Sequence, residues 1–201
     1  MAAFTQIPTT TFKQLQLNAG IITSSFTPGT ATLDQSSILG ATTGGISFTA
    51  TPSYTDFGED IDNCPKNMKE LKKLESWEVT LSGTFVTVSA DLAKTLVGAG
   101  SKDTSDTTKV VPHNDLTAGD FADVWFVGDY SDINTGKSAG FLAIHVMNAL
   151  STGGFQLTTS DKAKGQFAFE FTGHYSMEKQ DTPPFEIYVK AGTAASKVAG
   201  K

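Results

Sequence analysis

Residues 165–175 read Gly-Gln-Phe-Ala-Phe-Glu-Phe-Thr-Gly-His-Tyr, and this stretch decides the fold class. Phe167, Phe169 and Phe171 occupy every second position, and alanine, glutamate and threonine stand after them. Successive side chains of a β-strand point to opposite faces of its sheet, so this order gives one apolar face and one largely polar face. The stretch therefore predicts a strand that is buried on one side.

Three other stretches are also predicted as strands. Residues 45–56 read Gly-Ile-Ser-Phe-Thr-Ala-Thr-Pro-Ser-Tyr-Thr-Asp, residues 77–85 read Trp-Glu-Val-Thr-Leu-Ser-Gly-Thr-Phe, and residues 185–189 read Phe-Glu-Ile-Tyr-Val after a Pro-Pro turn. Apolar and polar residues alternate along the first two. Together the four stretches predict a sheet with one wet face.

Two further stretches are almost continuously apolar. Residues 122–129 and 139–147 have the composition of strands that are covered on both faces. Antiparallel sheets usually leave one face in water, so we expect a helix or a second subunit to cover the other face here. This excess of apolar surface predicts self-association.

One short helix is predicted at about residues 89–98. Ser89 is a good N-cap, Asp91 lies where the helix dipole favours an anion, and Gly98 follows the last turn. Leu92 and Leu96 fall on one face. The regular return of strands and turns then indicates an all-β sandwich or barrel with this helix against one side.

The chain is predicted to form a single domain over residues 1–201. Residues 9–22, in which Leu15 and Leu17 alternate with polar residues, are expected to form a first strand or part of an N-terminal arm over 1–22. The other expected parts are a long polar loop over 23–45, an exposed loop over 98–120, a further strand at 155–159 and a flexible C-terminal tail over 191–201. A loop as long as 23–45 usually has a function or is disordered.

Over residues 44–190 the ordered strand segments resemble the major tail tube protein of long-tailed bacteriophages. The resemblance is carried by the Gly-apolar-Ser-Phe strand that ends near Tyr54-Thr55-Asp56, by the Trp-Glu-Val-Thr-Leu-Ser-Gly-Thr strand, and by the aromatic strand that runs through His174-Tyr175 to Pro-Phe-Glu-Ile-Tyr at 184–188. It implies a tail-tube-like fold whose subunits form hexameric rings, and rings that stack into a hollow tube for the phage DNA.

The same resemblance implies the partners and the location. The chain would bind copies of itself, the tape measure protein and the tail terminator or baseplate proteins, with only transient passage of DNA. It would lie in the virion tail, and in the host cytoplasm during assembly. The loop 23–45 would pack on a neighbouring subunit through four apolar side chains, which are Phe26, Leu33, Ile38 and Leu39. An inner tube of a contractile tail or secretion apparatus is the related alternative.

The formal charge is −6, and every one of the fifteen cationic side chains is a lysine. Arginine makes most bidentate contacts to phosphate and guanine, so a sequence-specific nucleic-acid binder is not expected. An acidic run contains Asp56, Glu59, Asp60 and Asp62. We expect it to face either the lumen of the tube or a subunit interface, and a solvated outer loop is the alternative.

The sequence contains no motif that is typical of an enzyme or a metal site. His113, His145 and His174 lack neighbours at metal-ligand spacing, and Cys64 has no partner thiol. Residues 135–138 end like a phosphate loop but lack its first glycine, and the runs 129–134 and 56–62 lack the glycine and closing glutamate of a calcium loop. We expect no catalytic residues, no cofactor and no bound metal.

Export and membrane insertion are not expected either. The N-terminus lacks the basic and apolar regions of a secretory signal, and the apolar stretch 139–150 is shorter than the ~20 residues of a membrane span. A monomeric β-sandwich that binds carbohydrate or a cell surface stays open as an alternative of another class. Its candidate aromatic platforms are Tyr54, Tyr130 and Tyr175.

Overall fold

The computed structural model describes residues 7–8, 10–131 and 139–193. Within these residues there are one α-helix, α1 (Ala90–Val97), and three single-turn 3-10 helices. The ten strands are β1 (Gln16–Thr23), β2 (Ile38–Gly40), β3 (Thr42–Asp56), β4 (Lys72–Phe85), β5 (Gly100–Lys102), β6 (Val110–Pro112), β7 (Ala122–Tyr130), β8 (Phe141–Ser151), β9 (Phe167–Gly173) and β10 (Phe185–Lys190).

Strand β8 belongs to two antiparallel sheets. Its residues from Phe141 to Val146 pair with both β7 and β10, whereas Leu150 and Ser151 pair with β9. The first sheet therefore runs β2-β1-β7-β8-β10, and the second runs from the end of β8 through β9 and β4 to β3. Strands β5 and β6 form a separate hairpin. The chain is an all-β sandwich with one helix, as the sequence predicts.

The main core lies between these sheets and is strongly aromatic. The rings of Phe85 and Phe169 are 4.5 Å apart, and α1 adds two leucines from one side. The fourteen buried members are Ile22, Val79, Leu81, Phe85, Leu92, Leu96, Val124, Phe126, Ile144, Val146, Ala149, Phe167, Phe169 and Phe171. The alternation predicted for β9 is confirmed, because its three phenylalanines are buried while Glu170 is exposed.

The predicted helix is confirmed together with both of its ends. The Oγ atom of Ser89 accepts a hydrogen bond of 3.1 Å from the backbone N–H of Leu92. Gly98 follows the helix at φ +80°, and a Cβ atom there would lie 2.7 Å from the carbonyl oxygen of Ser151. The hydroxyl of Ser151 donates to the carbonyl of Leu96 at 2.8 Å, which fixes α1 to β8.

A second, smaller core lies on the other face of the first sheet. The ring of Phe26 packs edge-on against Trp125 at 5.8 Å and against Phe141 at 5.1 Å, while Ala31 and Leu33 pack beside them. The two-sided burial predicted for β7 and β8 is confirmed. The sequence predicted that a helix or a second subunit covers the second face, but the segment 24–34 of the same chain covers it.

The four apolar residues of the loop pack within their own chain to different extents. Phe26 and Leu33 pack inside their own chain, Leu39 packs against the main core, and Ile38 is half-buried in β2. Phe26 is buried, whereas Leu33, Ile38 and Leu39 are partly exposed, and contact of these residues with a neighbouring subunit stays a prediction. The burial of Phe26 removes the argument that β7 and β8 must be covered by self-association.

Several predicted boundaries are wrong. The interval 23–45 contains β2 and the start of β3, and 98–120 contains β5 and β6. Residues 155–159 form no strand and contribute one isolated bridge, Thr158 to Gln166. The first strand expected within residues 9–22 is confirmed, since β1 is an integral strand of the first sheet. Most of the predicted tail 191–201 lies outside the described residues.

We predict that Phe26→Ala lowers the free energy of unfolding by about 3–5 kcal/mol, the usual loss for a buried phenylalanine. Equilibrium denaturation in guanidinium chloride measures this loss. Gln35→Ala is the control, since Gln35 is exposed directly after this segment and should change stability by less than about 0.5 kcal/mol. A Phe26→Ala protein as stable as the parent would show that the segment 24–34 does not stabilise the sheet.

Candidate assembly interface

The β3–β4 hairpin extends beyond the second sheet. Strand β9 pairs with β4 only from Val79 to Phe85, so residues 51–56 and 72–78 pair only with each other. We call these two segments, with the connecting loop 57–71, the projecting ribbon. A two-stranded ribbon is marginally stable alone in water. This ribbon therefore depends on its attachment at the base and on its side-chain contacts.

The base of the ribbon is attached where β9 ends. The hydroxyl of Tyr175 accepts a 2.8 Å hydrogen bond from the backbone N–H of Trp77, two residues beyond the last β9 pair. The indole of Trp77 packs on Phe185 of β10 with ring centroids 5.3 Å apart. Tyr175 thus replaces a missing strand partner. Its hydroxyl therefore has a structural role.

Several large apolar side chains of the projecting ribbon are exposed to solvent. Tyr54 is 52% exposed and is paired across the ribbon with Leu74, which is 42% exposed. Phe57 and Ile61 in the loop are 57% and 52% exposed. The Nζ atom of Lys72 lies 5.1 Å from the centroid of the Tyr54 ring. Clustered exposed apolar residues are typical of a surface that another protein covers.

The four predicted acidic residues lie at the end of β3 and in the connecting loop, but their contacts differ. Asp56 accepts hydrogen bonds from the backbone N–H of Gly58 at 2.9 Å and of Asn67 at 2.8 Å. These bonds, the Gly58 bond most, hold the pKa of the Asp56 carboxyl below its usual value. Asp56 therefore fixes the shape of the loop, whereas Glu59, Asp60 and Asp62 are exposed on it.

The outer face of the second sheet is a continuous polar surface. In β3, Ser47, Thr49, Thr51 and Ser53 are all exposed on it. Their partners across the ladder, and the next residues in β9, continue the same surface. We call it the hydroxyl face, and its members are Ser47, Thr49, Thr51, Ser53, Ser76, Glu78, Thr80, Ser82, Thr84, Ala168, Glu170 and Thr172. Two glutamates are the only charged residues in this set.

Both sheets end in strands with a partner on one side only. Among the described residues, the 15-residue strand β3 pairs with β4 alone, and β10 pairs with β8 alone. Natural proteins usually protect such edges with lysines, bulges or short length. Strand β3 has bulges and one proline, but no lysine. Strand β10 leaves Ile187 53% exposed and Val189 57% exposed. These edges are available for pairing with another chain.

The histidines, the cysteine and the other candidate ligands do not form a common site. Within the described residues, no group of three or more histidine, cysteine, aspartate or glutamate side chains is placed to hold a metal ion. His113 contacts Asp120 near α1, and the Sγ atom of Cys64 lies 3.5 Å from the sulfur of Met68 in the ribbon loop. Asp132, Asn134 and the turn 135–138 lie outside the described residues. No helix in the described part of the chain is long and apolar enough to cross a membrane.

Comparison with known proteins gives no family. No protein-family model matches the chain, and a search of curated proteins finds no match. The resemblance to tail tube proteins therefore stays a prediction that rests on the residues quoted for it.

Sequence reasoning missed the projecting ribbon. Residues 72–76 read Lys-Lys-Leu-Glu-Ser, and their lack of apolar alternation hid the first part of β4. A signal was present in the acidic segment, since Phe57 and Ile61 interrupt it where a solvated loop has no need of large apolar side chains.

We predict that Asp56→Asn loosens the ribbon loop at neutral pH. Because the folded pKa is lowered, the stability that Asp56 adds is present above its usual pKa of about 3.9 and is lost as the pH falls through the folded pKa. Amide hydrogen exchange should show faster exchange at Gly58 and Asn67 in the variant. Asp60→Asn, which removes an exposed charge from the same loop, should leave both amides protected. Equal protection in parent and Asp56→Asn would contradict the role of Asp56.

Proposed function

We propose that this chain is a structural subunit of a bacteriophage tail tube, assembling into stacked rings that conduct DNA. The free edge of β3 is the observation that carries the proposal. In a monomer, an edge strand of 15 residues without a lysine would leave its backbone groups open to pairing with other chains. Closing a ring of subunits pairs such edges with one another. The ordered motifs of residues 44–190 add the family resemblance and the hexameric symmetry that it implies.

The hydroxyl face supports the role of a conduit. It lies on β3 and its neighbours, next to the same edge, so a ring closed through that edge would carry the face around a common axis. Hydroxyl groups offer DNA no net charge, and Glu78 and Glu170 repel phosphate. A channel must let its cargo move, and lysine or arginine would hold it. We therefore assign the hydroxyl face to the lumen.

The projecting ribbon supports contact between subunits. Its exposed Tyr54, Phe57, Ile61 and Leu74 would be covered by a neighbouring copy, and Glu59, Asp60 and Asp62 would lie beside that interface. In this proposal the tape measure protein occupies the lumen before DNA does, and the terminator and baseplate proteins bind the ends of the tube. The protein has no catalytic role, and its place is the virion tail.

Two alternatives remain distinct from this proposal. A contractile-tail or secretion tube would use the same edge and face. A monomeric carbohydrate binder is favoured by the exposure of Tyr54 and, less strongly, of Tyr175, and Lys72 already lies near the Tyr54 ring. Glycan binding that Tyr54→Ala abolishes, by a protein that stays monomeric, would favour the carbohydrate binder.

We predict that the purified parent protein forms rings or tubes. The triple variant Tyr54→Ser, Phe57→Ser, Ile61→Ser should stay small while keeping the parent's circular dichroism spectrum, because the three side chains are exposed in the single chain. Sedimentation velocity and negative-stain electron microscopy measure the assembly.

The matched control is the triple variant Thr104→Ser, Thr107→Ser, Thr108→Ser in the exposed loop between β5 and β6, which should assemble as the parent does. A parent protein that is monomeric at every concentration, including conditions that favour assembly, would overturn the proposal.

We also predict that cations on the hydroxyl face retain DNA. The double variant Thr49→Lys, Ser53→Lys places two lysines on exposed positions of that face. Its tubes should bind DNA fragments more strongly than parental tubes, most at low salt, where the Debye length reaches about 30 Å at 0.01 M. Thr104→Lys, Thr107→Lys adds the same charge outside this face. DNA release that is equal in the two variants at every salt concentration would place the hydroxyl face outside the lumen.

A further inference from the structure

The end of β10 lies on the core side of the first sheet but is not covered. Phe185 packs against the main core, so Ile187 and Val189, which follow at every second position, lie on the same face. They are 53% and 57% exposed. The ring of Phe185 is 5.9 Å from that of Phe48 in β3, so the second sheet covers β10 only at its start. We call the uncovered patch the apolar shelf, and its members are Leu142, Ile187 and Val189.

The missing cover lies beyond the free edge of β3. Phe48 of β3 is opposite Leu81 of β4, which is opposite Phe171 of β9. Phe171 is in turn opposite Ser151 at the end of β8. The second sheet therefore starts at the end of β8 and extends back over this strand, and β3 is its last member. The apolar shelf lies near the start of β8, so a strand added to β3 would lie over it.

The free edge of β3 can bind such a strand through its backbone. Trp77 is opposite Pro52, and its N–H points away from β3 to the hydroxyl of Tyr175. When one member of an antiparallel pair turns its backbone groups away from the other, both do, so those of Pro52 face the free edge. The same holds two and four residues earlier, at Ala50 and Phe48. Among the described residues, no strand pairs with them on this side.

The projecting ribbon has a free edge on the opposite flank of the second sheet. Its residues 72–76 belong to β4 but lie before the part that pairs with β9, so they pair with β3 alone. Tyr54 follows Pro52 by two residues and therefore lies on the core side of the sheet, where it is opposite Leu74. Both side chains are exposed. The two flanks of the second sheet thus carry uncovered apolar residues on the same, core-facing side.

These two flanks differ in a way that favours pairing with each other. A head-to-tail ring uses two different surfaces of each copy, so the edge of β3 cannot close it by pairing with another β3. The ribbon edge carries Lys72 and Lys73, and like charges placed opposite each other destabilise a sheet, which disfavours the pairing of two ribbons. Strand β3 has no charged residue before Asp56. The ribbon edge therefore fits β3 better than it fits a second ribbon.

We propose that the projecting ribbon of one copy pairs with the free edge of β3 of the next copy and covers the apolar shelf of that copy with Tyr54 and Leu74. The inference rests on the proposed ring and names the two surfaces that close it. The two strands run antiparallel, because rotation about the ring axis gives β4 of every copy the same direction relative to β3. The hydroxyl face then continues from one copy to the next.

Two double variants test the proposal. The shelf variant is Ile187→Ser, Val189→Ser, and the ribbon variant is Tyr54→Ser, Leu74→Ser. All four side chains are exposed in the single chain, so both variants should keep the parent's circular dichroism spectrum. Each should raise the concentration needed for assembly by at least about tenfold, because each removes apolar side chains from the centre of the interface. The matched control, Val111→Ser, Leu116→Ser, changes two exposed apolar residues elsewhere and should assemble as the parent does.

A mixture of the two variants shows whether the contact is head-to-tail. The shelf variant keeps an intact ribbon, and the ribbon variant keeps an intact shelf. At a concentration where each variant alone is monomeric, the mixture should form dimers of one copy of each and nothing longer, as measured by sedimentation velocity. A mixture that stays monomeric would contradict the pairing of ribbon and shelf.

Disulfide trapping tests the strand pairing itself, in proteins that also carry Cys64→Ser. A protein with Lys73→Cys is assembled with one that carries Ser47→Cys, Thr49→Cys or Thr51→Cys, all on the same face as Lys73. Oxidation should link at least one of these three combinations, since opposite Cβ atoms of paired strands are about 4.5–5.5 Å apart. Thr104→Cys in the β5–β6 loop should give no link to Lys73→Cys.

The outcomes separate this inference from the proposed function. A parent protein that forms tubes while the shelf variant assembles equally well, or while none of the three combinations is linked, would overturn the pairing and leave the tube proposal in place. A parent protein that never assembles would overturn both.

Discussion

The two-sided burial of β7 and β8 is the constraint on which the rest of the structure depends. The second sheet and α1 cover one face with the main core, and the segment 24–34 covers the other face through Phe26. Apolar surface on both faces of a strand would otherwise remain in water, at a cost of about 25 cal/mol for each Å². Because one chain supplies both covers, the surfaces left for partners are sheet edges, the projecting ribbon and the hydroxyl face.

These remaining surfaces follow from how β8 is shared. Strand β8 leaves the first sheet at its C-terminal end and pairs with β9, which places β4 and β3 in a second sheet with its own outer face. Strand β9 is too short to follow β4 to its start, so the β3–β4 hairpin projects beyond it. The ribbon thus results from the difference in length between β9 and β4. Because β3 is the last strand of the second sheet, its free edge lies next to the hydroxyl face.

The sequence predicts those parts that local patterns determine. The alternation of apolar and polar residues identified β3, β9 and the part of β4 that pairs with β9. Ser89 and Gly98 identified the two ends of α1. It did not predict the cover over β7, because Phe26 and Leu33 are isolated among serine, threonine and glycine and their partners are about a hundred residues away. In the candidate site it found the acidic residues but not the role of Asp56, whose partners are backbone N–H groups that no side-chain pattern reveals.

Electron cryo-microscopy of the purified protein after assembly tests the central claim most directly. The account predicts stacked rings in which the edge of β3 pairs with a neighbouring copy, the projecting ribbon is covered, and Thr49, Thr80 and Thr172 of the hydroxyl face line a central channel. An assembly whose channel is lined by another face, with the edge of β3 in solvent, would contradict it, as would a protein that forms no assembly at all.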